Sequence, residues 1–324
     1  MRKTIVEILK SAGDNFTSGE SIAGDLGVSR TAVWKHIQKL RESGYEILSH
    51  ARRGYKLKDA PDLLLPGEVQ IGLDTQIIGK EMHYEPSVDS TNQIAKALAY
   101  HGAPEGTIVV AEEQHSGKGR LERNFFSPRG KGIWFSVILR PKFLPHDAPK
   151  CTLMAAVAVA EAMKRFNLKA EIKWPNDIMF RNRKLVGILT EITAELAKIT
   201  YMVIGIGINV NIKRDEFPAE LQPIAASLAE INGKEISRVQ FFRAVLEEFD
   251  KLYRTLNASG FDPILELWRK YNVTLGRNIR VISLGEGGET FTGKAVDLNA
   301  DGALVVETDN GRRAVYAGDV SIRL

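Results

Sequence analysis

The sequence predicts an α+β protein with a helical N-terminal part, a central body built on a mixed β-sheet, and a small antiparallel C-terminal part. Apolar residues recur with helical periodicity before residue 45, strands and long helices are interspersed from 67 to 270, and short strands separated by glycines follow residue 271. A length of 324 residues fits two or three domains. We therefore predict domains at 1–60, 67–270 and 271–324, joined first by a proline-containing linker from Ala60 to Pro66.

The sequence predicts three helices and a hairpin in the N-terminal part. Helices are predicted over 4–10 and 18–26, and Gly27-Val28 forms a turn before a third helix that Ser29 caps and Gly44 ends. Strands over 45–48 and 55–57 then make a two-stranded wing with a basic tip. A helix, a tight turn and a second helix with polar N-terminal residues is the helix-turn-helix arrangement of DNA-binding proteins. The candidate DNA contacts are Ser29, Arg30, Thr31, Lys35, Arg52 and Arg53.

Charge is unevenly distributed along the chain. Residues 1–60 hold 11 of the 44 Lys and Arg residues and 7 of the 40 Asp and Glu residues, so their net charge of +4 equals that of the whole chain. A small basic domain on a neutral body favours contact with a polyanion. Two alternatives remain open at this point: the charge is only a solvated surface, or the N-terminal domain contacts proteins alone.

Composition excludes several classes of protein. The single cysteine, Cys151, rules out an intramolecular disulfide framework and a multi-cysteine zinc site, and its place before an apolar run makes it a packing residue. We predict no structural metal. The first residues lack the apolar core of a secretory signal, and no stretch approaches the roughly 18 apolar residues of a membrane span. The sequence therefore predicts a cytoplasmic protein without a membrane partner.

The central and C-terminal elements follow from the same periodicities. Central strands are predicted over 108–112, 133–139 and 201–211, and central helices over 92–100, 148–166 and 239–259. Four C-terminal strands are predicted over 279–283, 290–297, 303–308 and 312–316, with glycine-containing turns between them. The C-terminal pattern is typical of a small antiparallel barrel.

A glycine-rich basic loop, 114–123, follows the apolar strand at residue 108. Gly117 and Gly119 alternate with Lys118 and Arg120, so backbone N–H groups and cationic side chains can approach one anion. This pattern predicts a cradle for a phosphate or carboxylate. A solvated hairpin tip is the alternative.

A second motif, Lys173-Trp174-Pro175-Asn176-Asp177, follows a short strand ending at Ile172. Pro175 fixes the chain direction, and Asn176-Asp177 favours a turn. A lysine at such a strand end can neutralise an acyl phosphate or a leaving pyrophosphate. The alternative is a packed lysine stem with a solvated ammonium group.

Two glycine-containing strands and one polar run complete the set of motifs. The strands are 184–191 and 204–211, and Gly205 and Gly207 point to one face, where a flat ligand or a packed neighbour can lie. The polar run Ser90-Thr91-Asn92 precedes a helix and would by itself be read as a helix cap.

These motifs, in this order, resemble the biotin–protein ligase family, in particular its bifunctional bacterial members that double as the biotin operon repressor. The residues that carry the resemblance are Ser90-Thr91-Asn92, Gln114, the 117–120 loop, 173–177, 184–191 and 205–211. The resemblance implies an N-terminal winged helix, a central ligase domain of the biotin/lipoyl ligase type and a C-terminal SH3-like barrel.

The resemblance also implies a reaction. Biotin attacks MgATP to give biotinyl-5'-AMP, and a lysine of the biotin carboxyl carrier protein then takes the biotin. Lys173 and Arg120 are the implied catalytic residues. The implied binding residues are Ser90, Thr91, Asn92 and Gln114 for the ureido ring; Gly117, Lys118, Gly119, Arg120, Arg123 and Phe125 in the loop; Lys173 and Asn176; and Gly187, Gly205, Gly207, Asn209 and, from the last strand, Arg323.

Regulation follows from the same resemblance. The adenylate would order the basic loop and favour a homodimer, which presents two winged helices to a palindromic operator. Lys118, Glu122 and Phe125 depart from the usual pattern of arginine, a small residue and tryptophan, so we hypothesise a less tightly held adenylate. The competing hypotheses are a ligase for lipoate or another short acid and a biotin-sensing transcription factor without enzyme activity.

Overall fold

The computed structural model describes residues 1–120, 123–195, 198–283, 290–317 and 320–323. They form two compact units, Met1–Leu73 and Asp74–Leu324. No helix among these residues is long and apolar enough to cross a membrane.

The first unit is a winged helix-turn-helix, as predicted. Its helices are α1 (Arg2–Ser11), α2 (Gly19–Leu26) and α3 (Arg30–Glu42), and the antiparallel strands β1 (Glu46–His50) and β2 (Gly54–Asp59) form the wing. The Oγ atoms of Ser18 and Ser29 accept hydrogen bonds from Ser21 N–H and Ala32 N–H, at 3.0 and 3.2 Å, and cap α2 and α3. Gly27 ends α2 with a φ of 64°. These local devices fix the turn between the two helices.

The chain after the wing packs onto the same unit. Residues Pro66–Val69 form a short helix, α4, and Leu64 and Val69 are fully buried. The carboxylate of Glu68, 3% exposed, accepts a 2.7 Å hydrogen bond from the Tyr45 hydroxyl and pairs with Lys10. Proline is compatible with a helix at its first position, where no N–H is needed. The segment predicted as a linker therefore ends in a helix of the first unit.

The second unit is built on a seven-stranded mixed sheet. Its strands are β3 (Met82–Glu85), β4 (Ile108–Ala111), β5 (Gly132–Leu139), β6 (Glu171–Lys173), β7 (Asp177–Phe180), β8 (Arg183–Glu195) and β9 (Lys198–Asn209). Their order is β3-β4-β5-β9-β8-β7-β6, with β3 and β4 parallel and all other neighbours antiparallel. Every residue of β5 is buried, so the core lies along this strand.

Among the described residues of this unit, five α-helices accompany the sheet. They are α5 (Thr91–Tyr100), α6 (Ala148–Arg165), α7 (Leu228–Asn232), α8 (Arg238–Ser259) and α9 (Asp262–Tyr271). Helix α5 packs on β4, β5 and β9, whereas α6 packs on β6, β7 and β8 and carries α8 and α9 against it. Cys151 is fully buried in α6, where burial raises the pKa of its thiol, and this confirms the predicted packing role.

A five-stranded antiparallel sheet ends the chain. Its strands are β10 (Asn278–Ser283), β11 (Thr290–Leu298), β12 (Leu304–Thr308), β13 (Gly311–Val315) and β14 (Val320–Arg323), in the order β13-β12-β11-β10-β14. The predicted antiparallel domain is thus confirmed, and its closure into an SH3-like barrel stays a prediction. The last strand, β14, contains Arg323, as the resemblance implied, although no range was predicted for it from the periodicity.

Candidate active site

A polar network joins the start of α5 to the sheet. The Gln114 Oε1 atom accepts hydrogen bonds from the Thr91 N–H and hydroxyl groups at 2.9 and 3.1 Å. Ser136 Oγ, on β5, lies 2.8 Å from Thr91 Oγ1 and 2.6 Å from Asn92 Oδ1. Ser90 occupies the N-cap position of α5 but makes no capping hydrogen bond with its side chain. The polar run therefore faces the sheet and is more than a helix cap.

Glu191 of β8 fixes the far side of the same network. Its carboxylate accepts hydrogen bonds from Asn92 Nδ2 at 2.8 Å and from Lys96 Nζ at 2.9 Å. Partial burial alone would raise the pKa of Glu191, but these hydrogen bonds and the charges of Lys96 and Lys118 outweigh it and lower the pKa. The ionised carboxylate therefore sets which way the Asn92 amide points.

At three of the predicted glycines the backbone lies close to the side chain of Asn92 or of Phe125. A Cβ atom at Gly205 would lie 2.2 Å from Asn92 Oδ1. The ring of Phe125 lies over the paired residues Gly187 and Gly207, where a Cβ atom would come within 2.7 and 2.6 Å of it. A ligand ring placed against these two glycines therefore requires the Phe125 ring to move away.

The basic loop is a tight hairpin. Phe125 N–H donates to Gly117 O, and Gly119 N–H donates to Arg123 O, both at 2.7 Å. The guanidinium of Arg120 donates to Ala317 O and lies 3.5 Å from Asn176 Oδ1. Arg120 thus joins the loop to the 173–177 motif and to the C-terminal part of the chain.

The 173–177 motif forms the turn between β6 and β7. In the backbone register of this hairpin, Lys173 lies opposite Asp177. The Asn176 amide is held on β8, with Nδ2 donating to Ile188 O at 2.8 Å. The buried indole of Trp174 donates to Gly302 O at 3.2 Å, while its backbone N–H donates to Thr274 Oγ1 at 2.9 Å. These contacts hold the turn against β8 and against the C-terminal part of the chain.

Two adjoining cavities result from this arrangement. The smaller, about 40 Å³, is lined by Ser90, Thr91, Asn92, Gln114, Lys118 and the three glycines at 187, 205 and 207. The larger, about 280 Å³, is lined by Arg123, Lys173, Trp174, Asp177, Asn209, Phe217, Leu221 and Ala225. Both are lined by Gly119, Arg120, Phe125, Asn176 and Lys184. The structure thus brings most of the predicted site residues together at one junction.

Lys184 is a functional candidate that the sequence reasoning did not select. Its Nζ atom lies 2.6 Å from Asp177 Oδ1 and 5.7 Å from the centre of the Phe125 ring. It borders both cavities, as Arg120 does. The usable indication was its position three residues before Gly187, inside a strand already singled out.

Other predicted residues have different outcomes. Gly117 supports the loop backbone and does not line either cavity. Glu122 and the side chain of Arg323 lie outside the described residues. The sequence analysis missed Ser136 and the wall formed by Phe217, Leu221 and Ala225. It included Glu191 in the 184–191 motif but assigned it no role.

The predicted DNA contacts occupy the exposed face of the first unit. Arg30, Thr31, Lys35 and Arg52 are exposed. The guanidinium of Arg53 stacks 4.4 Å above the ring of Phe16, so this arginine also ties the wing to the segment before α2. Ser29 Oγ is engaged in capping α3.

Comparison with known proteins identifies the family to which this chain belongs. Residues 84–209 match the biotin/lipoate A/B protein ligase family, 2–56 an HTH domain and 274–323 the biotin protein ligase C-terminal domain. The chain is 42% identical to the bifunctional ligase/repressor BirA of Bacillus spizizenii over 99% of this chain and 98% of the relative. The chain belongs to the bifunctional ligase/repressor BirA family.

More distant members agree with this placement. BirA of Escherichia coli is 31% identical over 96% of this chain and 94% of the relative. A solved biotin protein ligase from Aquifex aeolicus, in complex with biotin and ATP, superposes with a TM-score of 0.64 at 30% identity, covering 75% of this chain and 99% of its own. The resemblance inferred from the motifs is therefore confirmed.

Proposed function

We propose that this protein activates biotin with ATP to biotinyl-5'-AMP, transfers biotin to a lysine of a biotin carboxyl carrier protein, and represses transcription in response to biotin. The observation that carries the ligase activity is the junction of the two cavities at Arg120, Asn176 and Lys184. The polar side chains of the small cavity suit the ureido ring of biotin once the Phe125 ring moves away, and the larger cavity suits a nucleotide. The BirA relatives and the Aquifex ligase with biotin and ATP support this reading.

The junction has the charge that the first half-reaction needs. A biotin carboxylate oxygen attacks the α-phosphorus of ATP, the bond from phosphorus to the bridging oxygen breaks, and pyrophosphate leaves with the electron pair. Both reactants are anions, so cations must hold them together and stabilise charge in the transition state. We assign this role to Arg120, Lys173 and Lys184, which line the larger cavity.

The second half-reaction transfers the acyl group. The carrier's lysine amine attacks the carbonyl carbon of the mixed anhydride, AMP leaves, and the amine loses a proton as the amide forms. A groove of about 410 Å³ lies between the start of α6 and strand β8, and Arg120 and Asn176, which border both cavities, also line this groove. We propose that the carrier docks there, because β8 beyond Ile188 pairs with β9 alone among the described strands.

Magnesium enters this account as part of MgATP. Mg²⁺ is usually held by substrate phosphates, waters and one or two carboxylates. Asp177, in the larger cavity, offers such a carboxylate. The described residues contain no cluster of three or more His, Cys, Asp or Glu side chains suited to a metal of their own.

Repression is assigned to the first unit. Its exposed basic residues on α3 and the wing suit the major groove and the phosphates of a duplex, and a homodimer would match a palindromic operator. We expect Arg52→Ala to weaken binding to every duplex and to lower the salt dependence of log K by about one unit. An unchanged slope would argue against a phosphate contact at the wing.

The ligase activity is tested by mass spectrometry of an apo carrier domain incubated with the protein, biotin and MgATP. One added biotin is expected, and none on a carrier whose acceptor lysine is replaced by arginine. Modification with lipoate instead would support the short-acid alternative. Absence of any modification, together with biotin-dependent DNA binding, would identify a sensor without enzyme activity.

A further inference from the structure

One large apolar side chain lies exposed on the DNA-facing helix. Trp34 of α3 is 51% exposed, whereas the other three tryptophans, Trp134, Trp174 and Trp268, are at most 1% exposed. It follows Arg30 by four residues and Thr31 by three, so the three side chains share one face of the helix. The proposed DNA contacts do not include it.

The indole is held in place by the wing. With the Gln38 amide oriented to satisfy its neighbours, Gln38 Oε1 accepts hydrogen bonds from Trp34 Nε1 at 3.1 Å and from Arg41 Nη1 at 3.2 Å. Arg41 in turn donates to Ile47 O on β1 through Nε at 3.1 Å and to Ser49 Oγ at 2.7 Å. The only polar group of the indole is therefore engaged inside the protein, and its exposed part can offer only apolar contact.

Trp34 forms one wall of a concavity between α3 and the wing. The concavity measures about 540 Å³, and its other walls include Arg30, Thr31, Ser49 and His50. Residues 1–60, which contain α3 and the wing, have a net charge of +4, equal to that of the whole chain, and this fits a polyanion as occupant. In a helix-turn-helix the first residues of the second helix reach base edges in the major groove, where the C5-methyl of thymine is the apolar group on display.

We propose that Trp34 reads a thymine C5-methyl group at a fixed position of each operator half-site. The inference rests on the proposed DNA binding and adds a sequence-determining contact to it. An indole fixed by Gln38 loses little freedom on binding, and burial of one methyl group against it corresponds to about a fourfold gain in affinity per half-site.

The test begins with duplexes selected from a random pool by the full chain in the presence of biotin and MgATP. Each thymine of the selected half-site is then replaced by uracil, which removes only the methyl group. For the wild type we expect one position at which uracil weakens binding about fourfold per half-site. Trp34→Ala should bind the thymine duplex more weakly and lose its preference at that position, while keeping its preferences elsewhere. Trp34→Phe should keep part of it.

A second readout follows Trp34 directly. Acrylamide quenches exposed tryptophan, and Trp34 is the exposed one of four. The selected duplex should protect this emission from quenching. Tyr100→Ala, which removes another exposed aromatic side chain at 78% exposure, is the control and should leave DNA binding unchanged.

The outcomes separate two failures. If the selection yields no bound duplex, the proposed DNA binding itself is wrong. If DNA binds but Trp34→Ala, with an unchanged melting temperature, discriminates thymine from uracil as the wild type does, the assignment of Trp34 is overturned. Full quenching in the complex would overturn it as well.

Discussion

Replacing Gly205 by alanine tests how the polar network holds the proposed biotin site. The new Cβ atom would lie 2.2 Å from Asn92 Oδ1, so the amide must retreat by about 1 Å to reach normal contact. That shift takes the amide's hydrogen bonds with Ser136 and Glu191, at 2.6 and 2.8 Å, beyond hydrogen-bonding distance.

The magnitude follows from these two contacts. A neutral hydrogen bond contributes about 1 kcal/mol and one to a charged group about 1.5–3 kcal/mol, reduced here because Glu191 is only partly buried. If biotin must restore the Asn92 orientation when it binds, the cost is about 2 kcal/mol, or roughly 30-fold in Kd. Gly205 lines the small cavity but not the large one, so affinity for ATP should stay unchanged.

Isothermal titration with biotin, and separately with ATP, measures both effects. Gly24→Ala is the matched control, because a Cβ atom there meets nothing within 4 Å. The reasoning is refuted if Gly205→Ala, shown to be folded by circular dichroism, binds biotin within about threefold of the wild type.

Three further predictions concern the wing, a buried carboxylate and the junction. Gly54→Ala should lower the free energy of unfolding by more than about 2 kcal/mol, because φ is 96° and the Cβ atom would lie 2.1 Å from the Thr17 carbonyl oxygen. Gly24→Ala, in the interior of α2 with open space around its Cβ atom, should instead stabilise the protein by about 0.5–1 kcal/mol. Burial alone would raise the pKa of Asp250, but hydrogen bonds from the backbone N–H groups of residues 76–78 and from the side chain of Arg254 lower it. Asp250→Asn should therefore cost about 2 kcal/mol at neutral pH, as measured by denaturant titration, and this difference should shrink as pH falls through and below 3.8. Lys184→Met should slow adenylation about 100-fold while biotin affinity changes far less, as single-turnover kinetics would show; an equal loss in both would contradict a role in the transition state.

The order of elements was predictable because the residues that begin and end helices and strands act within short stretches of the sequence. Ser29 and Gly27 mark the helix-turn-helix through capping and a left-handed backbone, and Gly205 with Gly207 marks a close approach within one strand. Such features need only neighbouring residues, and the predicted winged helix, mixed sheet and antiparallel C-terminal sheet follow from them.

The missed residues share a different property, since their roles come from distant parts of the chain. Ser136 and Glu191 bond Asn92 across 44 and 99 residues. Ser136 sits in a strand that is buried throughout, and the 184–191 pattern does not indicate a partner for Glu191. Pro66 was read as part of a linker because the burial of Glu68 against Tyr45 depends on tertiary contacts. Packing of this kind has no local pattern from which it can be read.

The central claim is that the junction of the two cavities adenylates biotin. Biotin-dependent exchange of labelled pyrophosphate into ATP, with Mg²⁺ present and lipoate as the control acid, tests it most directly. The account predicts exchange with biotin and none with lipoate. Exchange with lipoate, or with neither acid when the protein is folded and binds biotin, would contradict it.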